Sequence, residues 1–234
     1  MKVAIMQPYI FPYLGYFHLV DAVDTFVFYD DVNFVKKGFI NRNRILLNNQ
    51  AHTFSIPCKS ISQNKRINKT FLNFDLPERK KLIHTLEHAY KKAPFYGEIM
   101  NTIEPLLMDT NQQTIADIAS ESIKLISEYL KLETAFQYSS VEYSDTVNLN
   151  RTERLIEISN QVGAKTYVNA IGGKDLYTKQ EFEDKGLQLK FVNSNLRPYK
   201  QFENEFVSSL SIIDVLMFND TDTILQMLED FTLE

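Results

Sequence analysis

A single cysteine, Cys58, stands among the 234 residues. No intrachain disulfide can form, and a thiolate metal site would lack partners. Within SIPCKS it reads as a small apolar filler at a strand end. Tryptophan is absent, so aromatic packing and stacking fall to 12 tyrosines and 17 phenylalanines. No apolar run approaches the roughly 20 residues of a membrane span, and an apolar strand starts by residue 3, leaving no room for a secretion signal. The expected location is the cytoplasm. Basic residues are not in excess: 25 Lys and Arg against 30 Asp and Glu give a net charge of -5. That balance argues against DNA or another nucleic acid as a coating partner, while leaving room for a local basic cleft. The remaining composition, 44% hydrophobic and 24% charged, is that of a globular protein able to bury a good core.

The first forty-five residues organise the chain. Val3 to Met6 form a short apolar run that stops at Gln7-Pro8; Leu14, Phe17, Leu19, Val20 and Val23 then fall on one helical face; Thr25 to Tyr29 is a second apolar run, closed by Asp30-Asp31. Strand, loop, helix, strand within about thirty residues is one βαβ unit, which calls for a parallel sheet and a right-handed crossover. Gln7 and the Asp30-Asp31 pair then face the same crevice at the carboxyl edge of the sheet. Lys36, Lys37, Asn41, Arg42 and Asn43 follow closely. Carboxylates beside basic groups suit a polar, partly anionic substrate. Each of these residues also has a plain reading, as turn, loop start or surface charge.

Tyr9, Phe11, Tyr13, Tyr16 and Phe17 crowd the first loop and helix. They read either as core packing or as a platform for a base or sugar ring. His18, on that helix, is a candidate base near neutral pH, set against an ordinary surface position. Further on, 44–47 and 52–57 read as a hairpin, 60–68 as an exposed loop whose Lys65-Arg66 can close over a ligand, and 67–74 as a further strand. Helical patterns follow from Pro77 to Ala93, from Tyr96 to Leu107 with an interruption at Pro105, and from Thr114 to Leu130. His84 and His88 stand one helical turn apart, but without a third ligand no metal site is expected.

The β pattern returns at 135–143. A helix lined by Leu155, Ile156, Ile158 and Val162 ends at Gly163, and a strand at 166–170 runs into Gly172-Gly173, followed by Lys174 and Tyr177. That glycine turn can approach an anion but lacks the full P-loop spacing. A strand at 187–191, a polar loop carrying Arg197, Tyr199 and Gln201, and helices at 211–218 and 222–231 complete the chain. Asp214, framed by apolar residues, needs partners if buried. The expected fold class is α/β, a Rossmann-like parallel sheet with an inserted helical subdomain and C-terminal helices: an N-terminal half at 1–74, the insertion at 75–132, and a C-terminal half at 133–234.

The run QPYIFPYLGYFHLVDAVDTFVFYDDVNF with KKGFINRNRI, then LIEISNQVGAKTYVNAIGGKDLY and FENEFVSSLSIIDVLMFN, resembles the WbqC-like family in order along nearly the whole chain. The resemblance implies a role in O-antigen and related polysaccharide biosynthesis, with transfer of glycine to an amino sugar. On that reading Asp30, Asp31 and His18 are the catalytic candidates. Gln7, Tyr13, Tyr16, Lys37, Asn41, Arg42, Asn43, Gly172, Gly173 and Tyr177 are the binding candidates. The partners are an amino-sugar nucleotide and an activated glycine, delivered as an adenylate, a carrier thioester or a charged tRNA. ATP is the possible cofactor. An alternative is a nucleotidylyl or adenylate-forming enzyme; Pro8, Pro12, Gly15 and His18 occupy territory similar to that fold's phosphate motif, but HxGH is absent, with Tyr13 first and Tyr16 last. A third is a sugar-nucleotide-binding protein without turnover.

Overall fold

β1 (Lys2–Met6) is the central strand, and its side chains show why. Val3 and Ile5 point into one apolar cluster and Ala4 into another, so both faces are covered and only small or branched apolar residues fit. The computed structural model describes residues 1–203 and 205–234. After β1 come α1 (Leu14–Asp21), β2 (Thr25–Phe28), and the antiparallel hairpin of β3 (Arg42–Leu47) and β4 (Gln50–Ser55). Three helices follow: α2 (Leu76–Tyr90), α3 (Tyr96–Met108) and α4 (Ile115–Tyr129). The chain continues through β5 (Ala135–Tyr138), α5 (Ser139–Glu142), α6 (Arg151–Val162), β6 (Thr166–Ala170), α7 (Lys179–Glu183) and β7 (Gln188–Ser194). It ends with α8 (Ile212–Phe218), α9 (Thr221–Leu228) and β8 (Phe231–Leu233).

Six strands form the main sheet in the order β5-β2-β1-β6-β7-β8, the first five parallel and β8 antiparallel at the edge. Among the parallel strands this is third, second, first, fourth, fifth. That is the doubly wound Rossmann-like arrangement, with strand order reversing between β1 and β6.

Local sequence sets the helix ends. The Asp75 carboxylate accepts from the Glu78 N–H with Pro77 in the first turn; Thr114 and Asp117 cap each other reciprocally; Asn150 accepts from the Glu153 N–H. Gly163, at φ 78°, closes α6 in the left-handed conformation that glycine adopts freely. Arg79 is nearly fully buried: Nε donates to Phe74 O (2.8 Å) and Nη1 to Leu107 O (2.6 Å), tying α2 to the end of α3.

Four sequence expectations are corrected. Helix α3 runs on through Pro105 to Met108, because buried Ile99, Met100, Ile103 and Leu107 outweigh the missing N–H. The segment 67–74 is a 3₁₀ turn (Ile67–Lys69) with isolated bridges at Phe71 and Leu72 rather than a strand. The strand expected at 135–143 stops at Tyr138, whose N–H donates to the Glu142 carboxylate at 2.8 Å and turns the chain into α5. Finally, α9 ends at Leu228, so Phe231 belongs to an edge strand.

Candidate functional site

A cleft of about 760 Å³ opens at the carboxyl ends of β1, β2 and β6, on the sheet face covered by α6. It therefore lies at the strand-order reversal, where open α/β sheets bind ligands. Ile5, Tyr29 and Tyr167 give it an apolar floor; Gln7 enters from the end of β1, Asp31 and Asn33 from the end of β2, and Asn169, Gly172 and Gly173 from the end of β6. Tyr177 and the first turns of α6 complete the walls.

Asp30 and Asp31 are both buried and serve different ends. Asp31 pairs with Arg154 of α6 (Oδ2 to Nη2, 2.7 Å), while the Ser139 hydroxyl lies 2.6 Å from Asp31 Oδ1 and 3.1 Å from Asp30 Oδ1. Asp30 also accepts from the Ser140 hydroxyl (2.6 Å) and the Ser140 N–H (3.0 Å), which fixes the start of α5 against the end of β2. Arg154 donates through Nε to Thr146 Oγ1 at 3.0 Å and lies 4.8 Å over the Tyr29 ring. Asp31 lines the cleft; Asp30 lies behind it.

Two further arginines reach the cleft. Residues 65–67 pair with 32–34 through Phe34 N–H to Lys65 O (2.8 Å) and Ile67 N–H to Val32 O (2.9 Å), which delivers Arg66 to the rim. Arg151 is the first residue of α6. Neither has an ion-pair partner among the described residues. Burial raises the Tyr177 phenol, and the Arg151 charge partly offsets this. On the opposite wall, a Cβ on Gly173 would come within 2.6 Å of Asn169 Nδ2, so the turn holds that amide at close quarters.

Of the candidates read from the sequence, the structure gathers Gln7, Asp31, Gly172, Gly173 and Tyr177 into this cleft. It does not bring the others there. Tyr16 is buried and donates to Gln7 O at 2.8 Å, bracing the loop from below. Tyr13 lines a different cavity. Asn41, Arg42 and Asn43 donate to main-chain carbonyls of Ile56, of Lys37 and Gly38, and of Ile10 and Phe11; they shape the 37–43 turn, and Lys37 itself sits at φ 63°.

His18 is neither a cleft base nor a surface residue. It is fully buried under the other face of the sheet, with Nε2 2.9 Å from Met227 O and Nδ1 without a partner among the described residues. Burial lowers its pKa from the ordinary 6.5. The folded state thus holds the ring neutral, and as pH falls below about 6.5 the unfolded chain takes up the proton first. This contribution to stability is full above that pH and is lost as pH falls toward the lower folded-state pKa. The stability difference between the protein and His18→Gln should therefore narrow between about pH 7 and pH 5, measured as urea midpoints.

His52 of β4 shares a surface groove with His84, His88, Lys80 and Lys81, giving that pair of histidines a third neighbour. No three His, Cys, Asp or Glu side chains among the described residues are placed to hold a metal ion. Burial pushes the Cys58 thiol up to about 12, so it stays protonated at neutral pH.

A doubly wound sheet with a crevice at its reversal point, lined by arginines and a Gly-Gly turn, defines a Rossmann-like α/β protein. The chain belongs to the WbqC-like protein family, which matches residues 7–226. It is also similar to the uncharacterized protein Rv1507c of Mycobacterium tuberculosis, at 27% identity over 221 residues covering 93% of each chain. No solved structure matches. No helix among the described residues is long and apolar enough to cross a membrane.

Proposed function

We propose that the chain is a transferase of surface-polysaccharide biosynthesis of the O-antigen type, binding a nucleotide-activated amino sugar in the cleft and joining glycine to its amine. The observation that carries this reading is Arg151. A cation in the first turn of a helix opposes the helix dipole by about 0.3–1 kcal/mol. Here it lines the cleft, as does Arg66, and neither has a carboxylate partner among the described residues, which suits a diphosphate. Tyr177 and the Gly172-Gly173 turn form the wall against which the sugar lies.

The amine nitrogen attacks the glycyl carbonyl carbon; the C–N bond forms, the bond to the leaving group breaks with its electron pair, and the proton lost by the amine passes to that departing phosphate, thiolate or ribose oxygen. Asp31, the one carboxylate among the described lining residues, orients the amine, with Asp30 positioning that segment from behind. Gln7 and Asn169 offer amide donors to the developing oxyanion. A second reading rests on the same two arginines: ATP in this crevice, with glycine activated as its adenylate in a first half-reaction.

A UDP-amino sugar should bind the protein and bind at least tenfold more weakly to Arg66→Gln/Arg151→Gln, whose fold should be unaffected because both side chains are exposed. Supplied with ATP and glycine, glycyl-tRNA, or a glycyl thioester, the protein should yield a sugar heavier by one glycine residue, read by mass spectrometry. Glycine-dependent ATP-pyrophosphate exchange marks activation in the cleft. Unchanged sugar-nucleotide binding in the double variant, or no glycylated sugar with any donor, would overturn the reading.

A further inference from the structure

The loop after β1 serves two cavities. Gln7 lines the cleft, whereas Tyr9 and Tyr13 line a second cavity of about 320 Å³ together with Phe39, Arg44 and Ser209. Its chemistry differs from that of the cleft. The Tyr9 and Phe39 rings sit 6.1 Å apart and tilted, and Tyr13 and Phe39 remain 37% and 43% exposed, so part of each of these two residues is open to solvent. Arg44 donates through Nη2 to Ser209 O at 2.9 Å, but its buried Nε has no partner among the described residues, and it forms no ion pair among them. Ser209 holds its carbonyl toward Arg44 from a left-handed conformation, φ 57°, that non-glycine residues adopt at a cost. The remaining polar neighbour, Asn43, is fully engaged: Nδ2 donates to Ile10 and Phe11 carbonyls and Oδ1 accepts from the Arg44 N–H.

Partly exposed aromatic rings beside a cation with no ion-pair partner among the described residues suit a ligand with a ring face and one anionic group. We propose that this cavity is a second ligand site, for a ring that stacks on Tyr13 and Phe39 and carries one anionic group held by Arg44. Nucleobases present such a face, and so does the C–H side of a sugar ring; phosphate or carboxylate supplies the charge. The volume is that of one ring with its substituent. Tyr16 links the two cavities, with its hydroxyl on Gln7 O at 2.8 Å and its ring 5.6 Å from Tyr9. If the transferase reading holds, this cavity is additional to the cleft in which the amine and the glycyl carbonyl meet. The binding site itself does not rest on that reading.

The test is calorimetric titration of uridine 5′-monophosphate and of glucuronate, with inorganic phosphate as the ring-free control. It is run in the Arg66→Gln/Arg151→Gln protein, which removes the two cleft arginines that have no ion-pair partner among the described residues and leaves only Arg154, paired with Asp31. One ring anion should bind, and Tyr13→Leu and Arg44→Gln should each weaken it tenfold or more. Preference for the nucleotide identifies a nucleobase source, and preference for glucuronate a sugar acid. Binding of neither ring, binding of phosphate as tight as that of the nucleotide, or equal affinity in Tyr13→Leu would overturn the proposal. Tyr13 is partly exposed, so that variant reports on the site even where Arg44→Gln disturbs the fold.

Discussion

Arg154→Ala should destabilise the protein by about 3–5 kcal/mol, the cost of leaving one member of a buried ion pair without the other. Arg154 and Asp31 are each 4% exposed, and although both border the cleft, water replaces only part of the lost partner. The cost falls on Asp31, which keeps only the Ser139 hydroxyl on its other oxygen. Thr146 and the Tyr29 ring lose their contact as well. Asp31→Ala should cost a similar amount by stranding the guanidinium. The double variant should then lose clearly less than the sum, because no uncompensated charge is left. Urea unfolding of the four proteins gives the coupling directly. A single-variant loss below about 1 kcal/mol, on the scale of exposed pairs, would show that the charges reach solvent.

Asp214→Ala should be comparably severe. The carboxylate of this fully buried residue accepts from the Tyr90 hydroxyl (2.8 Å), the Tyr199 hydroxyl (2.6 Å) and Gln201 Nε2. The Tyr90 oxygen in turn accepts from the Leu46 N–H at 2.9 Å, so one carboxylate joins α8, α2, β3 and the 199–201 loop. Burial raises the Asp214 pKa, and these hydrogen bonds pull it back down. Each stranded buried donor costs about 1–3 kcal/mol; with Tyr90 retaining its Leu46 contact, a loss of about 3–5 kcal/mol is expected. Tyr199→Phe removes one donor and its need together and should cost only about 1 kcal/mol. If the two variants unfold at the same urea concentration, the carboxylate does not join these elements.

The opening βαβ unit was legible because its strands are short apolar runs with abrupt polar ends, and the gathering of Gln7, Asp31 and the Gly172-Gly173 turn follows from parallel topology alone. Arg154 was not legible. In TERLIEIS it occupies what a helical pattern reads as a solvent position, and only a carboxylate 123 residues away makes it a buried one. Arg151 is hidden for a different reason, since an exposed charge at a helix start reads as solvated and only the fold sets it on the cleft, while Arg66 reads as part of an exposed loop that can reach a ligand. His18 misled because periodicity places it on α1 without saying what will cover α1. The cover is α9 with the edge strand at Phe231, from the far end of the sequence. Lys37, Arg42 and Asn43 look like ligand-binding chemistry, but main-chain carbonyls engage Arg42 locally, at Gly38, and Asn43 from far back in the chain, at Ile10 and Phe11.

The placing of β1 has a kinetic consequence. Val3 pairs with Thr25 on one side and with Tyr167 on the other, sequence separations of 22 and 164. The first edge can form early and locally. The second must wait until nearly three quarters of the chain has been made, and closing so long a loop is slow. Until then the nascent protein carries a strand with an apolar interior, Val3 to Ile5, and one open row of N–H and C=O groups, an arrangement prone to pairing with another chain. Low temperature and slow expression should raise the soluble yield, and fragments ending before residue 166 should aggregate.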